Sequence, residues 1–304
     1  MKIAICLPGL EDVAEKEVKG KKIAPGRVEF DLPSNDFKSI STIYSLIKHF
    51  DFKNLDDLES ELKNITFKID ESFKVICNRK GNHNFNSTDV NKIISISLIK
   101  KGYKLDFKSP KTIIYLDIID SRCFVGYLEK ENLSKRAYRI RLSNQTLNPC
   151  LAYSLISMSG FKKNDVLLDP FCRDGIIAIE AALLNKGKVI ALDYSSNNIK
   201  NSTINAKTAK AEIEFINDSI LNFNEKVDII IAYPPFYSKK KDKSTVINQW
   251  QQFLSHSKTI LKKSMVLICP KEDIKDYLQD YKILEERKIV IGNTNYFIFH
   301  IQEC

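Results

Sequence analysis

The sequence predicts an α/β protein whose C-terminal half is a doubly wound, mostly parallel sheet, preceded by a smaller α+β region. Three observations predict it. From Asn148 onward, short apolar strands alternate with helix-length segments. Three successive strands each end on an acid: Asp169, Asp193 and Asp218. The first of those strands passes through a glycine-bearing turn, Asp169-Pro-Phe-Cys-Arg-Asp-Gly175, directly into an apolar helix.

At 304 residues the chain has room for two or three compact units, each with its own core. Hydrophobic residues make up 43% and charged residues 28%, the balance of a globular protein and not of a disordered one. A formal net charge of +9 creates a field that attracts polyanions, although a Lys-rich composition alone would produce the same number. The seven cysteines, Cys6, Cys77, Cys123, Cys150, Cys172, Cys269 and Cys304, are scattered without a C-x-x-C pair. That pattern disfavours a disulfide framework and a zinc site, so no metal is expected. The run Met1 to Gly9 is too short for a signal peptide, and no stretch of about 18 apolar residues is available to span a membrane. A cytoplasmic location is expected.

Residues 1–64 read as a small α+β module. A strand from Lys2 to Leu7 is followed by a Pro8-Gly9 turn and a helix from Leu10 to Lys19, with Leu10, Val13, Ala14 and Val18 at helical spacing. A second strand, Arg27 to Leu32, and two further helical stretches complete it. Residues 65–128 form the next expected domain: a strand from Phe73 to Cys77, a polar basic loop from Asn78 to Ser87, a helix from Thr88 to Lys101, and strands Thr112 to Ile118 and Cys123 to Leu128. Residues 129–147 are dense in Lys and Arg and poor in apolar periodicity, which suggests an exposed linker.

The last domain, residues 148–304, opens at Asn148-Pro149, a helix start. Its strands are expected at Asp165 to Leu168, Lys188 to Leu192, Ile213 to Ile216, Val227 to Ala232, Met265 to Ile268, Lys282 to Ile291 and Tyr296 to Ile301. Helices are expected from Gly175 to Leu184, Ser196 to Ala209 and Val246 to Leu261. Such alternation places a ligand beyond the carboxyl ends of the strands, and the short last connection implies an antiparallel edge pair.

The chemistry follows from the strand ends. Gly175 lets backbone N–H groups and a helix N-terminus face a nucleotide-like ligand, while the absence of G-x-G-x-x-G argues against a dinucleotide fold. Asp193 lies about twenty residues beyond the turn, where an acid accepts both ribose hydroxyls of a nucleoside. Asp218 stands where a carboxylate or its backbone meets an adenine amino group. Singly, each acid reads as a helix cap or loop residue; in this order they read as one ligand-binding rim. The fourth strand ends in Tyr233-Pro234-Pro235-Phe236, whose carbonyls lack competing N–H donors and can accept a planar amine while its ring stacks on Phe236.

These motifs together resemble the S-adenosylmethionine (SAM)-dependent methylases that modify exocyclic base amines. Upstream, Arg79-x-Gly81-x-His83-x-Phe85-x-Ser87 resembles the THUMP domain. The stretch Lys135-Arg-Ala-Tyr-Arg139 followed by Leu147-Asn-Pro is similar to the join in THUMP-containing tRNA guanine-N2-methyltransferases, a resemblance that covers nearly the whole chain. It implies a Rossmann-like methyltransferase domain behind a ferredoxin-like plus THUMP region. It also implies SAM as cofactor, held by Asp169, Phe171, Cys172, Arg173, Asp174, Gly175, Asp193, Tyr194, Asp218 and Ser219, with Tyr233, Pro234, Pro235 and Phe236 at the reacting amine. Structured RNA is the implied partner, tRNA before rRNA, with phosphate contacts from Arg79, Lys80, His83, Lys135, Arg136, Arg139 and Arg141. A monomer is expected, with room for a small activating subunit.

Two residues depart from that family's pattern. Arg173 stands where a glycine is usual, either closing over the SAM carboxylate or obstructing it. Tyr233 stands where Asp or Asn is usual, and a phenol, neutral at pH 7, does not replace a carboxylate as an acceptor. Two other readings therefore stay open: methylation of an rRNA base amine such as cytosine N4, and a catalytically silent RNA-binding protein.

Overall fold

The computed structural model describes residues 1–31, 36–239 and 241–304, arranged as two compact units. The first comprises Met1–Ile5, residues 28–31 and Ser41–Asn132. In chain order the elements of residues 1–132 are β1 (Lys2–Cys6), α1 (Glu11–Val18), β2 (Lys21–Ala24), β3 (Arg27–Phe30), β4 (Ile40–Asp51), α2 (Leu55–Lys63), β5 (Ser72–Lys80), α3 (Ser87–Lys100), β6 (Lys104–Leu105), β7 (Thr112–Ile119) and β8 (Arg122–Lys130). Within the first unit the strand order is β3-β1-β4-β8-β7-β5-β6. Leu58, Leu62, Val90, Ile94 and Leu98 of α2 and α3 share a core with Phe73, Val75, Ile114, Leu116 and Val125 of the sheet. Asn86 and Asp89 form a reciprocal capping box that fixes where α3 begins.

Two expectations need correction here. One of the two helical stretches expected before residue 64 is the strand β4, and only α2 is a helix; Leu32, the expected end of the second strand, lies outside the described residues. The cause is visible in the register of β4 against β8, which shifts between Ile43 and Tyr44 and again between Leu46 and Lys48. Such bulges break the two-residue alternation, so Ile40, Ile43 and Tyr44 are buried at helical spacing although the backbone is extended. The loop expected from Asn78 also starts later. Asn78, Arg79 and Lys80 continue β5 and pair with Asp117, Ile118 and Ile119 of β7.

The second unit comprises Cys6–Arg27, residues 36–40 and Leu133–Cys304. Its later elements are α4 (Pro149–Met158), β9 (Val166–Asp169), α5 (Ile176–Ala182), β10 (Lys188–Leu192), α6 (Ser196–Ala209), β11 (Glu214–Ile216), β12 (Val227–Ala232), α7 (Lys243–Ile260), β13 (Leu261–Cys269), β14 (Tyr281–Ile291) and β15 (Thr294–Glu303). The sheet order is β11-β10-β9-β12-β13-β15-β14, parallel as far as β13 and antiparallel across β15 and β14. The fold is therefore Rossmann-like, with the antiparallel edge pair that the short last connection implied. Leu10, at the start of α1, joins the core on one face of this sheet, and Asp12 of α1 binds Arg287 of β14 with Nη2 to Oδ2 at 3.0 Å.

The stretch that read as an exposed linker is instead anchored to this unit. Tyr138 and Leu147 are buried, and Asn205 of α6 accepts from the backbone N–H groups of Ile140 and Arg141 while donating to the Arg141 carbonyl. Charge density misled because one of its charges is paired inside the fold: Arg136 binds the fully buried Glu180 with Nε to Oε1 at 2.8 Å.

Close approach of β4 and β8 sets a test of the first unit. A Cβ on Gly126 would collide with the Ser45 carbonyl oxygen and sit 2.7 Å from the Tyr44 ring. Gly126→Ala should lower the free energy of unfolding by about 1 to 3 kcal/mol, the usual scale of overpacking. Chemical denaturation of wild type and variant measures this, and an unchanged midpoint would refute the close approach.

Candidate active site

The chain builds β9, β10 and β11 outward in one direction and then returns to lay β12 on the other side of β9. At such a reversal the connections leave on opposite faces, so a crevice opens beyond the carboxyl ends of β9 and β12. Every strand-end candidate lies along that rim: Asp218 beyond β11, Asp193 beyond β10, Asp169 at the end of β9 and Tyr233-Pro-Pro-Phe236 beyond β12.

On the β10 and β11 side the rim is open. A cavity of about 350 Å³ is lined by Phe171, Leu192, Tyr194, Asp218, Ser219, Ile220 and Phe253. The Asp193 carboxylate is fixed by two backbone donors, Arg173 N–H to Oδ2 at 3.1 Å and Ser195 N–H to Oδ1 at 2.9 Å. A carboxylate has about four acceptor positions, so it keeps capacity for a ligand's hydroxyls. Asp218 Oδ1 accepts from Ser219 N–H at 2.6 Å and from Asn222 Nδ2 at 2.8 Å, and the Ser219 hydroxyl accepts from Leu221 N–H. Phe171 meets Phe253 of α7 edge-on at 5.0 Å between ring centres, which closes one wall. Volume, flat apolar walls and a placed acid fit the nucleoside half of SAM.

On the β9 and β12 side the rim is closed. Only about 10 Å³ is left between Gln145, Asp169, Cys172, Arg173, Asp174 and Tyr233. Asp169 is 1% exposed; its Oδ1 takes a long bond from Phe171 N–H at 3.4 Å and its Oδ2 has no partner. Burial raises its pKa to about 7, opposed by the Phe171 N–H and by the nearby Arg173 charge. An orphaned buried oxygen is an acceptor awaiting a donor, such as the ammonium of an amino-acid moiety. Here the residues supply that acceptor but no room.

Arg173 takes the room. Its backbone is left-handed, with φ of 51°, beside Gly175 at 83°. The guanidinium crosses to the end of β12, where Nη1 donates to the Tyr233 carbonyl at 2.6 Å and Nη2 to the Pro234 carbonyl at 3.3 Å. Its centre lies 4.1 Å above the Tyr233 ring, a cation–π contact. Tyr233 itself is buried, stacked on Phe236 at 5.8 Å, and burial raises its phenol pKa. Tyr233 thus presents a carbonyl to the crevice and keeps its side chain beneath Arg173. The Pro235 carbonyl is taken separately by Trp250 Nε1 of α7 at 2.6 Å.

Sequence reasoning missed Trp250, which orients the Pro-Pro turn, and Gln249 and Gln252, which line the open cavity. Being the only tryptophan of the chain was its one signal. Among the residues assigned to RNA, Lys80, Lys135 and Arg141 are exposed. Arg79 and His83 are wired together, with Nη1 to Nδ1 at 2.8 Å, and His83 Nε2 bonds the Asp120 carbonyl at 2.6 Å. Arg139 donates to Thr146 Oγ1 at 3.1 Å. The assignment of Arg136 to phosphate needs correction: its guanidinium is committed to Glu180 and to the carbonyls of Leu133 and Lys38. Among the described residues no cluster of three or more His, Cys, Asp or Glu could hold a metal, and no helix is long and apolar enough to cross a membrane.

The raised Asp169 pKa carries a linkage. The unfolded carboxyl titrates near 3.8 and the folded one near 7, so between these values the native state holds the extra proton and stability falls as pH rises. The slope is about 1.4 kcal/mol per pH unit at most, flattening above pH 7. Asp169→Asn should remove this component, leaving the variant relatively more stable at pH 8 than at pH 4. Urea unfolding across that range reads it, and a wild-type/variant difference independent of pH would contradict the buried, unpaired oxygen.

Family models match both halves of the chain: a THUMP domain over residues 38–128 and the RMKL-like methyltransferase domain over residues 136–295. The chain is 27% identical to the tRNA (guanine(6)-N2)-methyltransferase of Methanocaldococcus jannaschii, covering 97% of each protein. It is 24% identical to the enzyme of the same name from Archaeoglobus fulgidus, over 87% of this chain and 81% of that one. Among solved structures, TrmN from Thermus thermophilus superposes with a TM-score of 0.82 at 21% identity, over 100% of this chain and 99% of the other. Since the methyltransferase match spans more than half of the chain, the protein belongs to the RMKL-like methyltransferase domain family and carries a THUMP domain ahead of that domain.

Proposed function

We propose that the protein transfers a methyl group from SAM to the exocyclic N2 amine of a guanosine in structured RNA, with tRNA as the favoured substrate. The observation that carries this reading is the pair of carbonyls at Tyr233 and Pro234, which together accept two N–H donors from one planar group. Guanine offers that pattern along one edge, through N1–H and the N2 amine. Cytosine and adenine place a ring acceptor beside their amine, which would set a lone pair against a carbonyl; this weighs against the cytosine N4 alternative. The names of the archaeal relatives support the same base and the same class of RNA.

SAM, when bound, supplies an electrophilic methyl carbon on a positively charged sulfur. The chain's own residues do the rest by placement. Asp193 takes the ribose hydroxyls, Phe171 and Phe253 face the nucleoside, and Trp250 holds the Pro-Pro turn rigid so that the accepting carbonyls keep their direction. The THUMP domain captures the RNA, with Lys80 free to meet phosphates and Arg79 and His83 shaping the strand end beside Phe85; Lys135 and Arg141, of the second unit, are exposed cations for the same purpose. We read it as a monomer acting in the cytoplasm without a metal.

The test incubates purified protein with labelled SAM and separated tRNA and rRNA, then digests the product to nucleosides. Label is expected in tRNA as N2-methylguanosine. Asp193→Ala should reduce transfer roughly a hundredfold through loss of charge-assisted hydrogen bonds, while RNA affinity by filter binding stays unchanged. Label recovered as N4-methylcytidine would replace the reading with its alternative. No label in either pool, with SAM binding demonstrated, would leave an RNA-binding protein.

A further inference from the structure

Three features of Arg173 stand apart from the methyl-transfer reading and bear on one another. Its guanidinium is a planar group donating through two nitrogens to the Tyr233 and Pro234 carbonyls, the same acceptors assigned to the base. Its side chain fills the space beside the unpartnered Asp169 oxygen and leaves about 10 Å³ there, although the neighbouring nucleoside cavity holds about 350 Å³. Its charge, a fixed cation among Asp169, Asp174 and Asp193, makes no ion pair among the described residues and rests on a neutral aromatic ring at 4.1 Å.

We propose that Arg173 is a built-in competitor for both substrates, occupying the base's acceptor carbonyls and the space of the methyl donor's amino-acid half until it is displaced. The proposal rests on the methyltransferase reading of the site and adds a specificity element to it. The guanidinium copies the donor edge of guanine, so a base that fails to offer two parallel donors cannot repay the two hydrogen bonds lost when Arg173 leaves. Between two like charges in a crevice of low dielectric the interaction is repulsive, so a cationic sulfonium is received less well than a neutral thioether. The Tyr233 ring provides the resting face, which is why an aromatic residue at that position accompanies an arginine at 173.

The experiment uses the full chain, wild type, Arg173→Gly and Arg173→Met, with binding of SAM and of S-adenosylhomocysteine, its neutral thioether product, measured by calorimetry. Glycine suits the left-handed backbone at 173, so R173G is expected to fold at least as well as wild type. Wild type should bind the thioether about tenfold more tightly than SAM, and R173G should tighten SAM by about tenfold or more. R173M keeps bulk without charge or donors; it should bring the two ligands to nearly equal affinity while both stay weaker than with R173G. Methyl transfer to tRNA should rise in R173G.

SAM binding that is unchanged, weakened or absent in R173G would overturn the proposal, because Arg173 would then hold the donor or have no part in excluding it. Tightened SAM binding in R173G without label in any RNA would sustain the proposal and count against methyl transfer instead. The two ideas therefore fail separately.

Discussion

The reversal of strand order at β9 is the constraint on which the site depends. A sheet laid outward from β9 through β11 and then resumed at β12 brings the ends of four strands, far apart in sequence, to one rim. Neither the acids nor the Pro-Pro turn has any chemistry of its own on a loop; in sequence, Asp169 and Pro234 are separated by two α-helices and three strands. Only the register of β12 against β9, with Ile229 opposite Leu167 and Ile230 opposite Leu168, sets the carbonyls of Tyr233 and Pro234 within reach of the turn after β9. The hydrophobic runs of these strands, buried on both faces, hold that register because a slip of one residue would expose what is now core.

A second constraint is the buried carboxylate of Glu180 on α5. Removing a charge from water is expensive, and the fold compensates with Arg136 and the Tyr138 hydroxyl, both from the segment preceding α4. The same segment is held by Asn205 of α6, which also bonds the Asp174 carbonyl in the β9 turn. This basic stretch ahead of α4 thus buttresses the turn that carries Arg173 and Asp174. Its arginines divide by partner: Arg136 is structural, whereas Arg141 offers only its backbone to the fold and leaves its side chain exposed.

Much of this was legible in the sequence because strand ends in a doubly wound fold are marked by composition. Each strand from β9 to β15 lies within a few residues of its apolar run, whereas the short, polar β2 carries no such run, and the acids at the strand ends do lie along one rim. The first unit was harder where β4 is bulged, since a bulge converts a two-residue period into something that resembles a helical one. Arg136 was misread because a charged residue in a polar stretch looks solvated until its partner, forty-four residues later, is known. Trp250 carries no signal beyond being the only tryptophan, and the glutamines of α7 carry none; their role comes from which face of the helix lies over the Pro-Pro turn.

Arg173 and Tyr233 are the instructive pair. Taken separately, each looks like damage to a binding motif: a bulky cation at a position that favours glycine, and a phenol at a position that favours an acceptor. In space they answer one another. The arginine needs acceptors and a flat surface once it turns inward, and the end of β12 supplies two carbonyls and a ring. The tyrosine, buried beside Tyr296, needs a cover that tolerates its face, and a guanidinium is suited to that. A carboxylate at 233 would instead pair with Arg173 as a salt bridge, which is harder to open than two hydrogen bonds to neutral carbonyls. The tyrosine thus keeps the contact neutral on one side, so that Arg173 can be exchanged for a base of the same donor shape.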